Sequence, residues 1–111
     1  VIGTFETQYR KKIPLTIVKP GNQKRDFTHI DDIVNGCYLA MIKGRQNEYM
    51  LCTNKSYSII QIAKMFNTKI KFIKMRPGDR FKSTTINNNA KKILGFKAIK
   101  DIRTYIRNLI K

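Results

Sequence analysis

Apolar residues recur at helical spacing in several segments of the chain. Ile2, Phe5 and Tyr9 fall on one face and predict a first helix that ends before Pro14. A capping-box pattern from Ser58 to Gln61 predicts another helix. Its buried side would hold Ile59, Ile62, Ala63 and Phe66. Near the end, one amphipathic face collects Ile99, Ile102, Ile106 and Leu109.

Two further helices are predicted from polar residues that stand at their ends. The adjacent Asp31 and Asp32 are expected to cap a helix that Gly44 ends. Its buried side would carry Ile33, Val34, Cys37, Ala40 and Met41. A short helix is expected after Asn87, Asn88 and Asn89, and Gly95 would terminate it.

Short β-branched or alternating runs separate these helices. Residues 15–18, 27–30, 48–52 and 69–73 are predicted strands, with Ile70 and Phe72 of the last one facing a core. Residues 22–25 are expected to form a polar loop. The pattern predicts about four helices and three or four short strands, an α+β layer as an isolated piece.

Length and charge narrow the function classes. The 111 residues amount to one domain of ordinary size or a piece of a larger one, and the start at Val1 favours the piece. A net charge of +16 favours polyanionic or phosphorylated partners. Nucleic acid is therefore one candidate partner, although a Lys-rich composition bias explains the charge equally well.

The sequence gives little support for a membrane-spanning segment or a metal site. No apolar run reaches the ~18 residues that a membrane span needs. Cys37 and Cys52 have only His29 as a further soft ligand, so no zinc site is expected. Free cysteines of this kind commonly act as small hydrophobes, and we expect a reducing cytoplasm.

Motifs for a reaction centre are sparse. The glycine-rich phosphate turns, Gly-x-Ser-x-Gly and Tyr-x-x-x-Lys do not occur. His29 beside Asp31 and Asp32 could form a base with an orienting carboxylate, but a His next to a capped helix start is the simpler interpretation. We therefore expect no catalytic residue in this chain.

Two loops carry residues suited to a nucleotide. Arg25 stands between a Pro-Gly turn and Phe27, where its planar guanidinium could bind two phosphate oxygens. Arg76 and Asp79 stand on a second turn built on Pro77 and Gly78. A cation that neutralises phosphate, next to an acceptor for ribose hydroxyls, provides the groups that bind a nucleotide. Each loop taken alone could equally be an ordinary solvated loop.

The order of residues 14–34, from Pro-Leu-Thr-Ile-Val to Arg-Asp-Phe-Thr-His-Ile-Asp-Asp, resembles the start of the substrate-binding region of extended short-chain dehydrogenases/reductases. These are the NAD(P)-dependent nucleotide-sugar epimerases and dehydratases. Residues 49–58, 76–80 and 88–96 resemble later parts of the same region. The resemblance covers the whole chain but only the C-terminal third of a typical member. It implies an α/β fold in which residues 1–111 are the C-terminal substrate-binding domain.

The resemblance also implies roles for individual residues. Arg25 and Arg76 would contact the diphosphate of a nucleotide-sugar, and Asp79 would accept from ribose hydroxyls or order its loop. Thr16 and Val18 would lie beside the nucleobase through main-chain contacts, and Asn54 would be a weaker candidate at the nucleotide's edge. NAD or NADP would be bound by an N-terminal Rossmann domain upstream of these residues. The full-length enzyme would be a homodimer, and this chain alone would be inactive.

Several questions remain open at this level. Lys19 and Pro20 replace a glycine-containing turn of many members, so epimerisation, dehydration, reduction and decarboxylation all remain possible, as do several sugars and nucleobases. The alternative function is a small basic nucleic-acid-binding module, and a third possibility is a standalone interaction domain with no ligand. The cations, however, do not line one helix or alternate with aromatic residues as a stacking platform requires.

Overall fold

A computed structural model describes residues 1–45, 47–75, 77–78 and 88–111. It is a mixed α and β structure. Its elements, in chain order, are α1 (Ile2–Arg10), β1 (Leu15–Val18), β2 (Lys24–Asp26), α2 (Ile30–Lys43), β3 (Ser56–Ser58), α3 (Ile59–Met65), β4 (Ile70–Ile73), a π-helical turn (Ala90–Leu94) and α4 (Ile102–Leu109). The chain divides into two compact units, whose boundaries fall within β2, β3 and α4. Among the described residues, no helix has the length and apolar composition that a bilayer span requires.

The first unit comprises residues 1–25, 57–83 and 106–111. Its centre is a parallel pair of strands, β1 and β4, in which Leu15 lies opposite Ile70 and Val18 opposite Ile73. Alternate side chains of β1 point into the core, and Leu15 and Ile17 are fully buried. The buried side chains that join them are Phe5, Ile62, Ala63, Phe66 and Ile106. The Phe5 and Phe66 rings meet edge to face at 5.9 Å, which fixes α1 and α3 on this core.

The turn between β1 and β2 depends on Gly21. Its φ of +84° lies in the left-handed region, and a Cβ there would come within 2.8 Å of side-chain atoms of Ile60 and Ile17. The Gly21 carbonyl also accepts a hydrogen bond from the Ile60 N–H. Close approach and backbone conformation therefore both require glycine. The start of α3 follows directly, with Ser58 and Gln61 forming the predicted capping box.

The second unit comprises residues 26–56 and 84–105. Its core is the cluster of Ala90, Leu94 and Phe96, against which α2 packs through Leu39 and Ala40. Gly95 ends the π-helical turn in the left-handed conformation, as the sequence indicates. Asn89 provides no side-chain cap for this turn. Asn87 lies outside the described residues.

Asp32 has a different role from the cap that its position predicts. It is only 3% exposed, and its carboxylate accepts hydrogen bonds from the backbone N–H groups of Ile99 and Lys100. The helix cap is His29, whose Nδ1 accepts from the Asp31 N–H at 3.0 Å. The prediction that both carboxylates cap α2 is therefore wrong, since both lie in the first turn behind the His29 cap, and Asp32 instead fixes the chain before α4.

The buried side of α2 agrees only in part with the prediction, since Ile33 and Ala40 are half-buried and Ala40 packs against the core of the unit. Asp32 and Gly36 are buried, whereas Val34, Cys37 and Met41 are exposed. The exposed apolar side chains on this helix are Ile30, Val34, Tyr38, Met41 and Ile42. Because α2 carries apolar residues around most of its circumference, the sequence pattern does not determine which side packs on the unit.

Several strand predictions also need correction. Residues 24–26 form β2 where a polar loop was expected, and residues 27–29 before α2 are not a strand. Residues 48–52, predicted as a strand, do not form one. Phe72 of β4 is 45% exposed, and Ile99 lies before α4 with 76% of its surface exposed. Ile106 of the predicted final helix face is fully buried.

Candidate functional site

A cavity of about 260 Å³ opens in the first unit at the end of β1. Three residues selected from the sequence, Thr16, Val18 and Arg25, line it together. The remaining wall comes from Val1, Thr4, Phe5, Gln23, Ile59 and Ile73. The cavity thus combines an apolar floor with one guanidinium and a strand edge, which suits a ligand with a flat polar ring and an anionic group.

The main-chain groups of β1 that could bind a ligand lie on the edge that is turned away from β4. Leu15 and Lys19 direct their N–H groups to the carbonyls of Lys69 and Ile73, so the intervening Thr16 and Val18 direct theirs to the opposite edge. The Thr16 N–H donates to Gln8 Oε1, and Gln8 Nε2 donates to Thr16 Oγ1. Because Gln8 occupies the Thr16 groups, Val18 is the residue of β1 whose N–H is better placed for a ligand.

Gln23 is a wall residue that the sequence pattern did not single out. It is 5% exposed, and its Nε2 donates to the Val18 carbonyl at 3.4 Å, while its Oε1 is buried with no hydrogen-bond partner. Gln23 and Arg25 are two residues apart on an extended segment, so they share a side of it. Recognising a strand at residues 24–26 would have revealed this pairing.

Arg25 is held locally as well as facing the cavity. Its Nη1 donates to the Lys24 carbonyl at 2.8 Å, which restrains the long side chain. The neighbouring Lys24 is exposed and does not line the cavity. Arg25 is therefore the cation of β2 that lines the cavity.

Asn54 lies in the second unit, in a different cavity of about 590 Å³. Its φ of +61° is left-handed, and its Oδ1 accepts from the Cys52 thiol at 3.3 Å. Lys55, Lys91 and Lys97 also line this cavity. The structure thus groups Asn54 with these lysines, and the walls of the two cavities share no residue.

The second predicted loop contains two residues with expected nucleotide contacts. Arg76 and Asp79 lie outside the described residues. Their predicted contacts with the diphosphate and the ribose therefore stay predictions.

His29 has a structural position in the second unit. Its Nδ1 is occupied by the Asp31 N–H, and its ring meets the Tyr105 ring edge-on at 5.8 Å. This agrees with the simpler interpretation of a His at a helix start, and here the His itself is the cap. The described part of the chain holds no cluster of three His, Cys, Asp or Glu side chains placed to bind a metal.

The sequence lacks the glycine-rich turn that is typical of a dinucleotide-binding site. A nicotinamide dinucleotide is commonly held by a glycine-rich turn between a strand and a helix. The six glycines of this chain stand singly, at positions 3, 21, 36, 44, 78 and 95.

Comparison with known proteins gives a consistent result. Residues 6–109 match the family model described as GDP-mannose 4,6 dehydratase. An uncharacterized protein of Methanocaldococcus jannaschii is 34% identical over 84 residues, which cover 69% of this chain and 26% of that protein. UDP-glucuronic acid decarboxylase 4 of Arabidopsis thaliana is 27% identical over 87% of this chain and 23% of its own length. The chain thus spans about a quarter of these relatives.

Solved structures show the same fold. UDP-glucose 4-epimerase of Thermotoga maritima, crystallised with UDP-glucose, superposes with a TM-score of 0.86 at 22% identity, over 96% of this chain and 36% of that one. WbmF of Bordetella bronchiseptica, in complex with NAD+ and UDP, superposes with a TM-score of 0.76 at 29% identity. The match covers 97% of this chain and 34% of WbmF.

Proposed function

The chain belongs to the GDP-mannose 4,6-dehydratase family of extended short-chain dehydrogenases/reductases, and from this premise we propose that residues 1–111 bind the nucleotide part of a nucleotide-sugar. They would form the C-terminal substrate-binding domain of an NAD(P)-dependent epimerase or dehydratase.

One observation carries this proposal. The family resemblance implies nucleotide contacts for Thr16, Val18 and Arg25, and all three line the same cavity in the first unit. A nucleoside diphosphate has a flat polar base at one end and two negatively charged phosphates at the other. The β1 edge and the Arg25 guanidinium offer complementary groups within one wall.

Each wall residue then has a defined task. Val18 presents main-chain groups to the base, and the apolar side chains of Phe5, Ile59 and Ile73 exclude water beside it. Arg25 neutralises the diphosphate through its planar fork of N–H donors. Arg76 would join Arg25 there, and Asp79 would accept from the ribose hydroxyls or order its own loop. Asn54 lines the second unit's cavity, and its expected contact with the nucleotide stays a prediction.

The chemistry of the whole protein extends this proposal. WbmF was solved with NAD+ and UDP, and we infer that the full-length protein uses NAD or NADP held by an N-terminal Rossmann domain. When bound, that cofactor would supply hydride transfer, while this chain orients the sugar through its nucleotide. We also propose a cytoplasmic homodimer that is inactive without the cofactor-binding part.

A binding comparison on the full-length protein tests the function. Isothermal titration with UDP-, dTDP-, GDP- and CDP-linked glucose or mannose should give saturable one-site binding with at least one of them. Random duplex DNA, titrated at two salt concentrations, serves as the competing ligand because a net charge of +16 favours any polyanion. Strong salt-dependent DNA binding without nucleotide-sugar binding would favour the basic nucleic-acid module instead.

A further inference from the structure

Gln23 has an unused hydrogen-bond acceptor in the wall of the nucleotide cavity. It is the residue that the described part of the chain leaves with a buried side-chain oxygen and no partner. Leaving a buried acceptor unpaired costs stability, so such an atom calls for an explanation. A ligand that supplies the missing donor is one.

The orientation of the Gln23 amide is fixed by its surroundings. Its Nε2 donates to the Val18 carbonyl, and rotating the amide by half a turn would place Oε1 against that carbonyl, acceptor against acceptor. The Gln23 backbone is also held, because its carbonyl accepts from the Ile59 N–H at 3.0 Å. The oxygen therefore stays away from the Val18 carbonyl.

The chemistry of an acceptor limits its ligand. Oε1 cannot pair with phosphate oxygens, which are themselves acceptors, so the diphosphate at Arg25 is excluded as its partner. A nucleobase N–H or a ribose hydroxyl is left. The bond to Val18 ties Gln23 to the strand end proposed for the base, and that favours the base.

We propose that Gln23 Oε1 accepts a hydrogen bond from the ring N3–H of a uracil or thymine base, beside the main-chain groups of Val18. This assignment rests on the proposed nucleotide-sugar function. An imide offers a carbonyl next to an N–H, and Val18 N–H with Gln23 Oε1 offers the complementary donor and acceptor. Gln23 would then be the residue that selects the base, while Arg25 binds every diphosphate alike.

Ligand analogues test this on the unmodified full-length protein. The probes are UDP, N3-methyl-UDP, 2′-deoxy-UDP and inorganic pyrophosphate. N3-methyl-UDP lacks the donor and should bind at least about threefold to tenfold more weakly than UDP. 2′-Deoxy-UDP should bind within about twofold of UDP. Equal affinity for UDP and N3-methyl-UDP would overturn the assignment, as would a loss that follows the 2′-hydroxyl.

The variant Gln23→Met gives a second measurement, because methionine keeps the length of the side chain and removes the acceptor. It should weaken UDP binding about threefold to tenfold, leave pyrophosphate binding unchanged and remove the preference for UDP over N3-methyl-UDP. If UDP binds the natural protein and the variant equally well, only the Gln23 assignment fails. If the natural protein binds a GDP- or CDP-linked sugar but not UDP, only the Gln23 assignment fails, whereas binding of none of the four nucleotide-sugar types overturns the proposed function and the Gln23 assignment with it.

Discussion

The carboxylate of Asp32 accepts the backbone N–H of Lys100 at 2.9 Å, although 68 residues separate the two along the chain. The same carboxylate accepts the Ile99 N–H at 3.2 Å. One buried side chain on α2 thereby satisfies two donors in the segment that leads into α4. Asp32 lies only two residues after the start of α2, where a capping role is the usual expectation.

Replacing Asp32 should destabilise the protein. In Asp32→Asn one of the two acceptor oxygens becomes an NH2 group that faces a backbone donor, so we expect a loss of about 1.5–3 kcal/mol in the free energy of unfolding. Asp31→Asn is the matched control, since the Asp31 side chain is 64% exposed, and it should change stability by less than about 0.5 kcal/mol. Urea unfolding measures both. Similar effects for the two variants would contradict the buried role of Asp32.

Arg25 should determine the affinity for the diphosphate. Arg25→Ala removes a charge-assisted contact worth roughly 1.5–3 kcal/mol, so nucleotide-sugar affinity should fall by about one to two decades. Lys24→Ala removes the adjacent exposed cation of the same strand and should leave affinity within about twofold. Titration calorimetry on the full-length variants measures this. An unchanged dissociation constant in Arg25→Ala would remove the main support for the proposed site.

Comparing substitutions at Gly21 and Gly95 separates the energetic cost of backbone strain from the cost of close packing. Both have positive φ, but a Cβ meets Ile60 and Ile17 atoms at Gly21 and nothing within 4 Å at Gly95. Gly95→Ala should therefore cost only about 1–2 kcal/mol of backbone strain. Gly21→Ala adds overpacking of about 1–3 kcal/mol. Thermal or urea unfolding gives the comparison, and equal losses would show that the neighbours of Gly21 move aside freely.

Acid should weaken the start of α4. The Arg103 side chain donates hydrogen bonds to the Asp101 carboxylate and lowers its pKa from 3.8 to about 2. Since the folded-state pKa is the lower one, the folded protein binds fewer protons, and this stabilisation is complete above about pH 4. It is lost as pH falls toward 2.

Two measurements follow from this pKa. NMR titration of the Asp101 carboxyl carbon should give a midpoint near pH 2, and a midpoint near 3.8 would contradict the ion pair with Arg103. Urea unfolding should show the stability difference between the natural protein and Asp101→Asn shrinking from pH 5 to pH 2.5.

The exposed apolar side of α2 should affect solubility. Val34 and Met41 are 60% and 75% exposed, and contiguous apolar surface of this kind promotes association. Residues 1–111 expressed alone are expected to self-associate, and Met41→Glu should shift them toward monomer in analytical ultracentrifugation. Asn35→Glu adds the same charge to an exposed position of α2 and should do so less. A monomeric chain with a sharp unfolding transition would contradict this expectation.

Local signals carried most of the fold prediction. The capping box at Ser58 and the buried Leu15 and Ile17 of β1 depend on neighbours within a few residues, and the structure has them as expected. The packed side of α2 and the fate of residues 48–52 depend on what other segments provide, which local patterns do not contain. Of the cavity at the end of β1, the family resemblance singles out Thr16, Val18 and Arg25, which share its wall, and their contacts with a nucleotide stay predictions. The sequence pattern missed Gln23, because glutamine side chains are mostly exposed and nothing in the pattern marks this one as buried.

The amide of Gln8 has a consequence for the sheet as a whole. By holding both the N–H and the hydroxyl of Thr16, it occupies the lateral margin of β1 much as a short neighbouring strand would. A foreign polypeptide that approached to extend the sheet there would first have to evict this amide. One glutamine on α1 thus protects the protein against intermolecular strand addition along that margin, and the far end at Val18 stays open for a small molecule.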